Sequence, residues 1–303
     1  MNPGSLRTVA ILSAILLGSL IPQAQAGAFL IRWLIITMLF IVFLQTRLSR
    51  EALQRSHGWL LAANIAMGFV GWCLGWLIGG RELALAGFFC GITPTASAAP
   101  VIMNFLRGRV DYVVAAFLLT NLLVAALLPV LMPLMLGRVV PRLFADVFGS
   151  VGFVVFVPLV VALLVRKVHP SATEWPKRLR NVSFSLWVAT MFLITARVSA
   201  FLREHREIPV QVVLTIAALS CVLCVANFSL GRWIGGREFA REASQSLGQK
   251  NTAFTIYLAL AYASPLVALG PTCYVLWHNL WNSWQLHQQA RAESGVGTAK
   301  ATH

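Results

Sequence analysis

The chain has 303 residues, of which 58% are hydrophobic and only 11% are charged. An ordinary soluble domain carries roughly 25% charged residues, so this composition excludes a water-soluble fold. The formal net charge of +14 would suit nucleic-acid binding in a soluble protein. Here, however, the Lys and Arg residues stand in short clusters between long apolar runs, as the positive-inside rule describes for membrane proteins. We therefore expect the lipid bilayer, and no nucleic acid, as a partner.

Ten runs are suited to membrane helices, which need about 20 predominantly apolar residues each. We number them as spans 1 to 10, at residues 8–22, 28–46, 57–78, 83–105, 111–136, 148–168, 182–202, 208–231, 239–261 and 264–287. The predicted fold class is an all-α polytopic membrane protein. Most of the Lys and Arg residues fall on the side of the N-terminus, which predicts cytoplasmic termini and a bacterial inner-membrane location.

Span 1 has a second interpretation. Arg7, a short apolar run and Ala24-Gln25-Ala26 together resemble a cleavable signal peptide, and cleavage would leave nine spans. If span 1 is retained, the chain divides into two halves of five spans. We predict that arrangement, with repeats at 1–146 and 147–288 and a disordered cytoplasmic tail at 289–303.

A nine-residue motif occurs twice. LGWLIGGRE at 74–82 returns as LGRWIGGRE at 230–238, 156 residues later, with seven of the nine letters unchanged. At the same offset, span 3 corresponds to span 8 and span 4 to span 9. Because five is an odd number of spans, the two halves are predicted to lie in opposite orientations. This is the inverted-topology repeat of many secondary transporters.

Spans 4 and 9 contain the least lipid-like stretches, CGITPTASAAP and SQSLGQKNT. Prolines remove backbone donors, and hydroxyls and amides surround the interruptions. The residues expected to break the two helices are Gly91, Pro94, Pro100 and Gly248. The offset of 156 pairs Pro94 with Lys250, about half-way across a hydrocarbon core on the order of 30 Å thick. Matched broken helices at that depth commonly build a substrate and ion site.

At these residues the chain resembles the bile acid/sodium symporter family, a group of ten-span carriers with two inverted five-span repeats. PTAS at 94–97 with FLRG at 105–108, SLGQKNT at 246–252 and VLWHNLWNS at 275–283 are similar to family segments of spans 4, 9 and 10. The resemblance implies that spans 4 and 9 cross where they unwind. It also implies that sodium binds behind the crossing and that an organic anion binds in front of it.

Two groups of candidate residues follow from the motifs and the resemblance. The candidate substrate-binding residues are Thr93, Thr95, Ser97, Asn251, Thr252 and His278. The candidate ion-site residues, or residues that replace an ion, are Ser246, Gln249, Lys250, Thr120, Asn121 and Asn64. His278 has two possible roles, because it can line the cavity or bond only to neighbouring helices.

Two departures from the family pattern change the expected chemistry. Ser246 stands where the family has a sodium-binding Glu, and Lys250 stands where it has a sodium-binding Gln. A charged Lys in mid-bilayer costs about 2.5 to 3.5 kcal/mol on insertion scales, so it should face a cavity or a partner. Three hypotheses remain open. The Lys250 ammonium replaces a sodium ion, held by carbonyls with Gln249, Asn251 and Ser246; or it exchanges a proton during transport; or it pairs with an anionic substrate.

We expect a secondary transporter of a small organic anion that works by alternating access. Its coupling ion is sodium or a proton, or transport is independent of sodium. No cofactor, no metal site and no enzymatic activity are expected, since neither an H-E-x-x-H helix nor paired intramembrane carboxylates occur. The alternatives are an arsenite-type efflux carrier of the related branch, with Cys90 as the ligand, and a membrane sensor that does not transport. The sequence leaves the substrate, the direction of transport and the oligomeric state open.

Overall fold

The computed structural model describes residues 3–45, 52–137 and 141–300, and within these ranges the fold is all-helical. The α-helices are α1 Pro3–Leu20, α2 Leu30–Gln45, α3 Arg55–Gly79, α4 Arg81–Ile92, α5 Ala99–Phe105, α6 Val110–Met135, α7 Pro141–Val151, α8 Val157–Val168, α9 Trp175–Arg178, α10 Arg180–Glu204, α11 Val210–Gly235, α12 Ala240–Gly248, α13 Thr252–Tyr262 and α14 Pro265–Lys300. Short 3₁₀ turns at Pro22–Gly27 and Pro170–Glu174 connect some of them.

Each of the ten predicted spans coincides with helix in the structure. Three spans are divided in two: span 4 into α4 and α5, span 6 into α7 and α8, and span 9 into α12 and α13. A π-helical turn at Gly152–Phe156 joins α7 to α8. By contrast, residues 93–98 and 249–251 are not helical, so spans 4 and 9 are interrupted by extended backbone.

The lengths and compositions of the helices support a polytopic membrane protein. Five segments are long and apolar enough to cross a membrane: Arg55–Gly79, Val110–Met135, Arg142–Val168, Asn181–Glu204 and Val210–Gly235. Two shorter apolar helices are Leu30–Leu44 and Thr252–Tyr262. The number of ten membrane crossings and the opposite orientation of the two halves stay predictions.

The C-terminal tail differs from the expectation. A disordered tail was predicted at 289–303, but α14 continues as helix to Lys300, and residues 301–303 lie outside the described residues. Gln, Ala, Arg and Glu dominate the first part of this segment, and all four are favourable helix residues, which is the physical reason for the continuation.

The two copies of the nine-residue motif form similar turns. Gly80 follows α3 with φ 76° and ψ −152°, and Gly236 follows α11 with φ 60° and ψ −145°. A positive φ is accessible to glycine because it has no Cβ atom. Each turn reverses the chain into the next helix. The repeated letters therefore correspond to repeated backbone geometry, in the hairpins α3–α4 and α11–α12.

The α3–α4 hairpin is packed backbone against backbone. A Cβ atom on Gly71 would overlap the Gly87 carbonyl, and one on Gly91 would overlap the Met67 carbonyl. Small residues at helix contacts are typical of membrane proteins because they let two backbones approach closely. This close packing places Asn64 of α3 beside the C-terminal end of α4.

The remaining helices pack around the two hairpins. α1 lies against α10, where the Ser199 hydroxyl donates to the Ser19 carbonyl at 2.8 Å. α2 lies against α8, and the Arg32 guanidinium lies over the Phe153 ring. α10 also contacts α13 and α14. α2 also contacts α13, and the Ser150 hydroxyl of α7 lies 2.8 Å from the Tyr257 hydroxyl of α13. The helices of spans 2, 6 and 7 therefore lie beside the broken span 9.

Candidate substrate and ion site

The extended segments of spans 4 and 9 cross and hydrogen-bond to each other. Thr95 and Lys250 form an antiparallel β-bridge. The Ala96 N–H donates to the Gln249 carbonyl at 2.7 Å, and the Asn251 N–H donates to the Pro94 carbonyl at 2.8 Å. Backbone that leaves a helix in a membrane must find other partners. Here each broken helix supplies the partners of the other.

The C-terminal end of α4 is one wall of this crossing. The last four carbonyls of a helix have no partner within it. The Thr93 hydroxyl donates to the Phe89 carbonyl, and the Asn64 amide donates to the Ile92 carbonyl at 2.9 Å. The Gly91 carbonyl accepts from the ammonium of Lys250 at 3.0 Å. The negative end of the α4 dipole therefore faces the amino group of Lys250, where it favours a positive charge.

Lys250 is enclosed by neutral groups. Its side chain is only 1% exposed, and its Nζ donates to the Asn64 Oδ1 atom at 2.6 Å as well as to Gly91. Asn64 thus donates with its amide nitrogen to the α4 end and accepts with its amide oxygen from the ammonium. No carboxylate is paired with Lys250 among the residues that the structure describes. The Nζ atom therefore lies against neutral oxygen dipoles instead of a carboxylate.

The partners of Lys250 differ from those in the first hypothesis. Gln249, Asn251 and Ser246 were expected around the ammonium, but their side chains have other hydrogen bonds. Ser246 donates its hydroxyl to the Glu242 carbonyl at 2.8 Å, one turn back along α12. The Gln249 Oε1 atom accepts from Asn282, and Asn251 points to Asn121. The Lys250 side chain is long enough to cross to α3 and α4, so it bonds to these helices and not to its neighbours in the chain.

The C-terminal end of α12 is the opposite wall, and neutral hydroxyl groups satisfy it. The Thr95 hydroxyl donates to the Ser246 carbonyl at 2.5 Å. The Tyr274 hydroxyl of α14 donates to the Gly248 carbonyl at 3.0 Å. Both donors are uncharged, so this helix end contains no counterpart of the Lys250 ammonium.

α6 holds the break in span 4. The Thr120 hydroxyl donates to the Thr95 hydroxyl at 2.9 Å and accepts from the Thr95 N–H at 3.1 Å. The Asn121 amide donates to the Thr95 carbonyl at 2.9 Å, and its Oδ1 atom accepts from Asn251 at 3.4 Å. Every polar group of Thr95 is therefore satisfied by a named partner, which fixes the conformation of the break.

A chain of side-chain amides connects the crossing to α14. Gln249 accepts from the Asn282 amide at 2.5 Å. Asn282 in turn accepts from Gln245 at 3.0 Å, and Gln245 also donates to Gln285 at 2.5 Å. These residues are uncharged, and they join the last turn of α12 and the residue after it to one face of α14.

The structure brings most of the predicted residues together and separates a few. Those in contact across the crossing are Thr93, Thr95, Asn64, Thr120, Asn121, Gln249, Lys250 and Asn251. Ser97 is partly exposed and Thr252 is buried in the first turn of α13. Pro100 was expected to break span 4, which is wrong. It lies in the first turn of α5, where a missing N–H costs no helical hydrogen bond.

His278 is buried, and neither of its ring nitrogens has a hydrogen-bond partner among the described residues. Its ring packs edge-on against Tyr274 at 5.8 Å. Hydrogen bonding to a neighbouring helix, one of its two predicted roles, is therefore not observed.

Several contributors to the crossing were absent from the sequence prediction. They are Tyr274, Asn282, Gln245, Gln285 and Thr255. Thr255 lies 2.8 Å from the Thr93 hydroxyl. The amides of α14 follow His278 at intervals of four and seven residues, which places them on one helical face. That spacing is the signal that could have found them.

The model of the SBF-like CPA transporter family matches the chain over residues 8–281. The matched range includes both broken helices and the crossing. The chain belongs to this family. The resemblance to the bile acid/sodium symporter family is thereby confirmed. A search of curated proteins finds no match.

Membership in the SBF-like CPA transporter family assigns the chain to a broad class. The protein is a multi-pass membrane transporter of the bile acid/sodium symporter type. Among the described residues there is no group of His, Cys, Asp or Glu side chains that could hold a metal ion.

Proposed function

We propose that this protein carries a small organic anion across the membrane by alternating access, with the crossing of the two broken spans as its central site. In this mechanism one bundle of helices rocks against another around the crossing. The observation that carries the proposal is the enclosed Lys250 ammonium, bound to the α4 end and Asn64 within that crossing. It supplies the positive charge that an anionic substrate requires nearby.

We further propose that the ammonium takes the place of a coupling sodium ion. Its ligands are a helix-end carbonyl and an amide oxygen, which are the hard oxygen donors that an alkali cation also uses. A mobile cation and a tethered ammonium would compete for the same two oxygens. Because Lys250 is covalently attached, the site is occupied at any sodium concentration, and transport is sodium-independent.

Substrate is proposed to enter where the crossing is partly exposed. Ser97 and Asn251 are both partly accessible, whereas Thr95, Thr120 and Lys250 are buried and satisfied by protein groups. Thr93, Thr252 and His278 are proposed to complete the surroundings of the anion. A bacterial inner-membrane location with cytoplasmic termini, predicted from the charge distribution, belongs to the same proposal.

A proton-coupled version is the second candidate, and the neutral surroundings of Lys250 favour it. Both ligands of the ammonium are uncharged, so release of a proton leaves no carboxylate without its counter-ion. The arsenite-type alternative has less support, because Cys90 is 1% exposed within a cluster of apolar side chains.

Uptake into proteoliposomes tests the proposal. The probes are radiolabelled benzoate, a carboxylate, and taurocholate, a sulfonate, each with an inward sodium gradient, an inward proton gradient or no gradient. We expect uptake of at least one probe that does not change with sodium. Acceleration by the proton gradient favours the second candidate, and steep activation by sodium contradicts the tethered-cation mechanism.

A further inference from the structure

The repeated motif ends in a glutamate, and both glutamates contact the start of a helix that follows a broken span. The Glu82 Oε2 atom accepts from the Ser264 hydroxyl at 2.7 Å, immediately before α14. The Glu238 Oε1 atom accepts from the Arg109 guanidinium at 3.1 Å, immediately before α6. Each glutamate therefore joins the beginning of one broken span to the end of the other.

The same offset relates the two glutamates and the two segments that they contact. Glu82 and Glu238 are 156 residues apart, and so are Gly108 and Ser264. The segment between α5 and α6, which contains Gly108 and Arg109, is the counterpart of the segment between α13 and α14. We call these two segments the α6 hinge, 106–109, and the α14 hinge, 263–264. Each glutamate therefore contacts the corresponding segment of the other half, although Arg109 follows the counterpart of Ser264 by one residue.

At the α6 hinge a second carboxylate makes the stronger contact. Arg109 and Glu238 have side chains that are 58% and 65% exposed, and such a pair contributes little in water. Glu242 is only 7% exposed, and its Oε1 atom accepts from the Arg109 N–H at 2.9 Å. A Cβ atom on Gly108 would lie 2.8 Å from that same oxygen. The glycine thus permits Glu242 to approach the hinge.

Aromatic packing reinforces the α6 hinge. The Arg109 guanidinium lies 4.8 Å from the Phe239 ring centroid, and Phe239 stacks on Tyr112 of α6 at 4.7 Å.

At the α14 hinge, the Ser264 hydroxyl makes two hydrogen bonds. It donates to Glu82 and accepts from the Val267 N–H at 3.2 Å, in the first turn of α14.

α6 and α14, the helices that follow the two hinges, both carry side chains that hydrogen-bond to the crossing. α6 carries Thr120 and Asn121, which bind Thr95. α14 carries Tyr274, which binds the Gly248 carbonyl. Thr120 and Tyr274 lie about ten residues into their helices, or roughly 15 Å from the hinges. α6 has no internal proline between its hinge and Thr120, whereas α14 contains Pro271 between its hinge and Tyr274. A shift at either hinge therefore reaches the crossing through the helix that follows it.

We propose that Glu82 and Glu242, assisted by Glu238, are positioning residues that fix the two hinges and thereby set the geometry of the crossing. The consequence for transport rests on the proposed function, but the mechanical coupling between hinge and crossing does not. Two kinds of measurement therefore test the proposal, one with transport and one without.

The measurement without transport is a double-mutant cycle of unfolding in detergent, between Glu82→Ala and Tyr274→Phe. Residues this far apart normally contribute additively to stability. We expect the double variant to be clearly less destabilised than the sum of the single variants, because either change already loosens α14 from the crossing. Strict additivity overturns the proposal. This result does not depend on whether the protein transports either probe.

The transport measurement uses whichever of benzoate and taurocholate the wild-type protein carries faster. We expect Glu82→Ala and Ser264→Ala each to raise KM about fivefold, as the loss of one hydrogen bond predicts, and the double variant to raise it no further. Glu82→Gln should stay near wild type, because its amide oxygen still accepts from Ser264. Glu242→Ala should likewise raise KM about fivefold. Glu242→Gln should stay near wild type, because its amide oxygen still accepts from the Arg109 N–H.

The matched control is Glu207→Ala, at an exposed carboxylate in the turn between α10 and α11. This variant should leave KM and the free energy of unfolding unchanged. If Glu82→Ala lowers thermal stability but leaves KM unchanged, the carboxylate is merely structural and the proposal is overturned. If wild-type protein carries neither probe, the proposed function is contradicted, while the unfolding cycle still decides the positioning role.

Discussion

The C-terminal ends of α4 and α12 meet in one crossing, but different chemistry satisfies them. At the α4 end, the Lys250 ammonium and the Asn64 amide bind the last carbonyls. At the α12 end, the hydroxyls of Thr95 and Tyr274 do so. Both solutions meet the same requirement, since unpaired carbonyls in a membrane cost several kcal/mol each. Only the first also brings a positive charge to the centre of the protein.

The difference shows that the two broken helices are not equivalent parts of the site. Span 4 contributes a helix end that binds a cation, and span 9 contributes the cation. The repeat partner of Lys250 is Pro94, which has no side-chain donor and whose carbonyl accepts from Asn251. The pseudo-symmetry of the backbone is thus broken by the side chains. Substitutions at one helix end at a time therefore separate the two contributions.

The largest effect is expected at the charged end. Lys250→Met keeps a long side chain but leaves the Gly91 carbonyl and the Asn64 oxygen without their donor. Each buried acceptor without a partner costs about 1–3 kcal/mol, and the charge near the substrate is lost as well. We expect uptake to fall about 100-fold, since each 1.4 kcal/mol is about a factor of ten. Proteoliposome uptake at equal protein density measures it.

Lys167→Met, at an exposed lysine near the end of α8, is the matched control for that variant. It removes the same charge outside the crossing and should transport normally. Wild-type uptake by Lys250→Met would mean that the ammonium has no part in transport.

A smaller effect is expected when the α4 end is moved away from its partner without any loss of charge. Gly91→Ala places a methyl group against the Met67 carbonyl, so α3 must shift and Asn64 withdraws from Lys250. Overpacking of this kind typically costs about 1–3 kcal/mol. We expect a lower unfolding temperature and roughly tenfold slower uptake. Gly149→Ala, in α7 with open space around it, should have neither effect, and equal behaviour of the two variants would contradict the packing account.

The smallest effect is expected at the neutral end. Thr95→Val has nearly the same shape but removes the hydroxyl that donates to Ser246 and accepts from Thr120. The Thr120 hydroxyl can still donate to the Ala116 carbonyl, so only the bond to Ser246 is lost without replacement. A loss of about 1 kcal/mol corresponds to roughly fivefold slower uptake. Thr215→Val is the control, because the exposed Thr215 hydroxyl donates to the Gln211 carbonyl of its own helix. A fall in uptake as large as that of Lys250→Met would show that the two helix ends are equally important for transport.

Much of the architecture was predictable from the sequence. Apolar runs located the helices, because a membrane helix requires a continuous apolar segment. The repeated IGGRE paired spans 3 and 4 with spans 8 and 9, and the structure adds that each copy forms a hairpin turn at a glycine with positive φ. The breaks near Pro94 and Gly248 followed from proline and from the concentration of polar residues. One offset of 156 residues then placed both breaks opposite each other.

The contacts within the site were less predictable. Sequence reasoning placed Gln249, Asn251 and Ser246 around Lys250 because they are its neighbours in the chain. Crossing backbones instead bring residues from distant helices together, and a long Lys side chain reaches past its neighbours to Asn64. Tyr274 and Asn282 were missed for the same reason. Pro100 was misassigned because a proline that starts a helix has the same sequence signature as one that breaks it.

Sodium dependence tests the central claim most directly. Uptake of the transported probe is measured at sodium concentrations from zero to physiological, with choline as the replacement, for wild-type protein and for the double variant Ser246→Glu/Lys250→Gln. The double variant removes the tethered ammonium and restores the carboxylate and amide that the family resemblance associates with sodium. We predict that wild-type uptake is independent of sodium and that the double variant requires it. Steep activation of the wild-type protein by sodium would contradict the account.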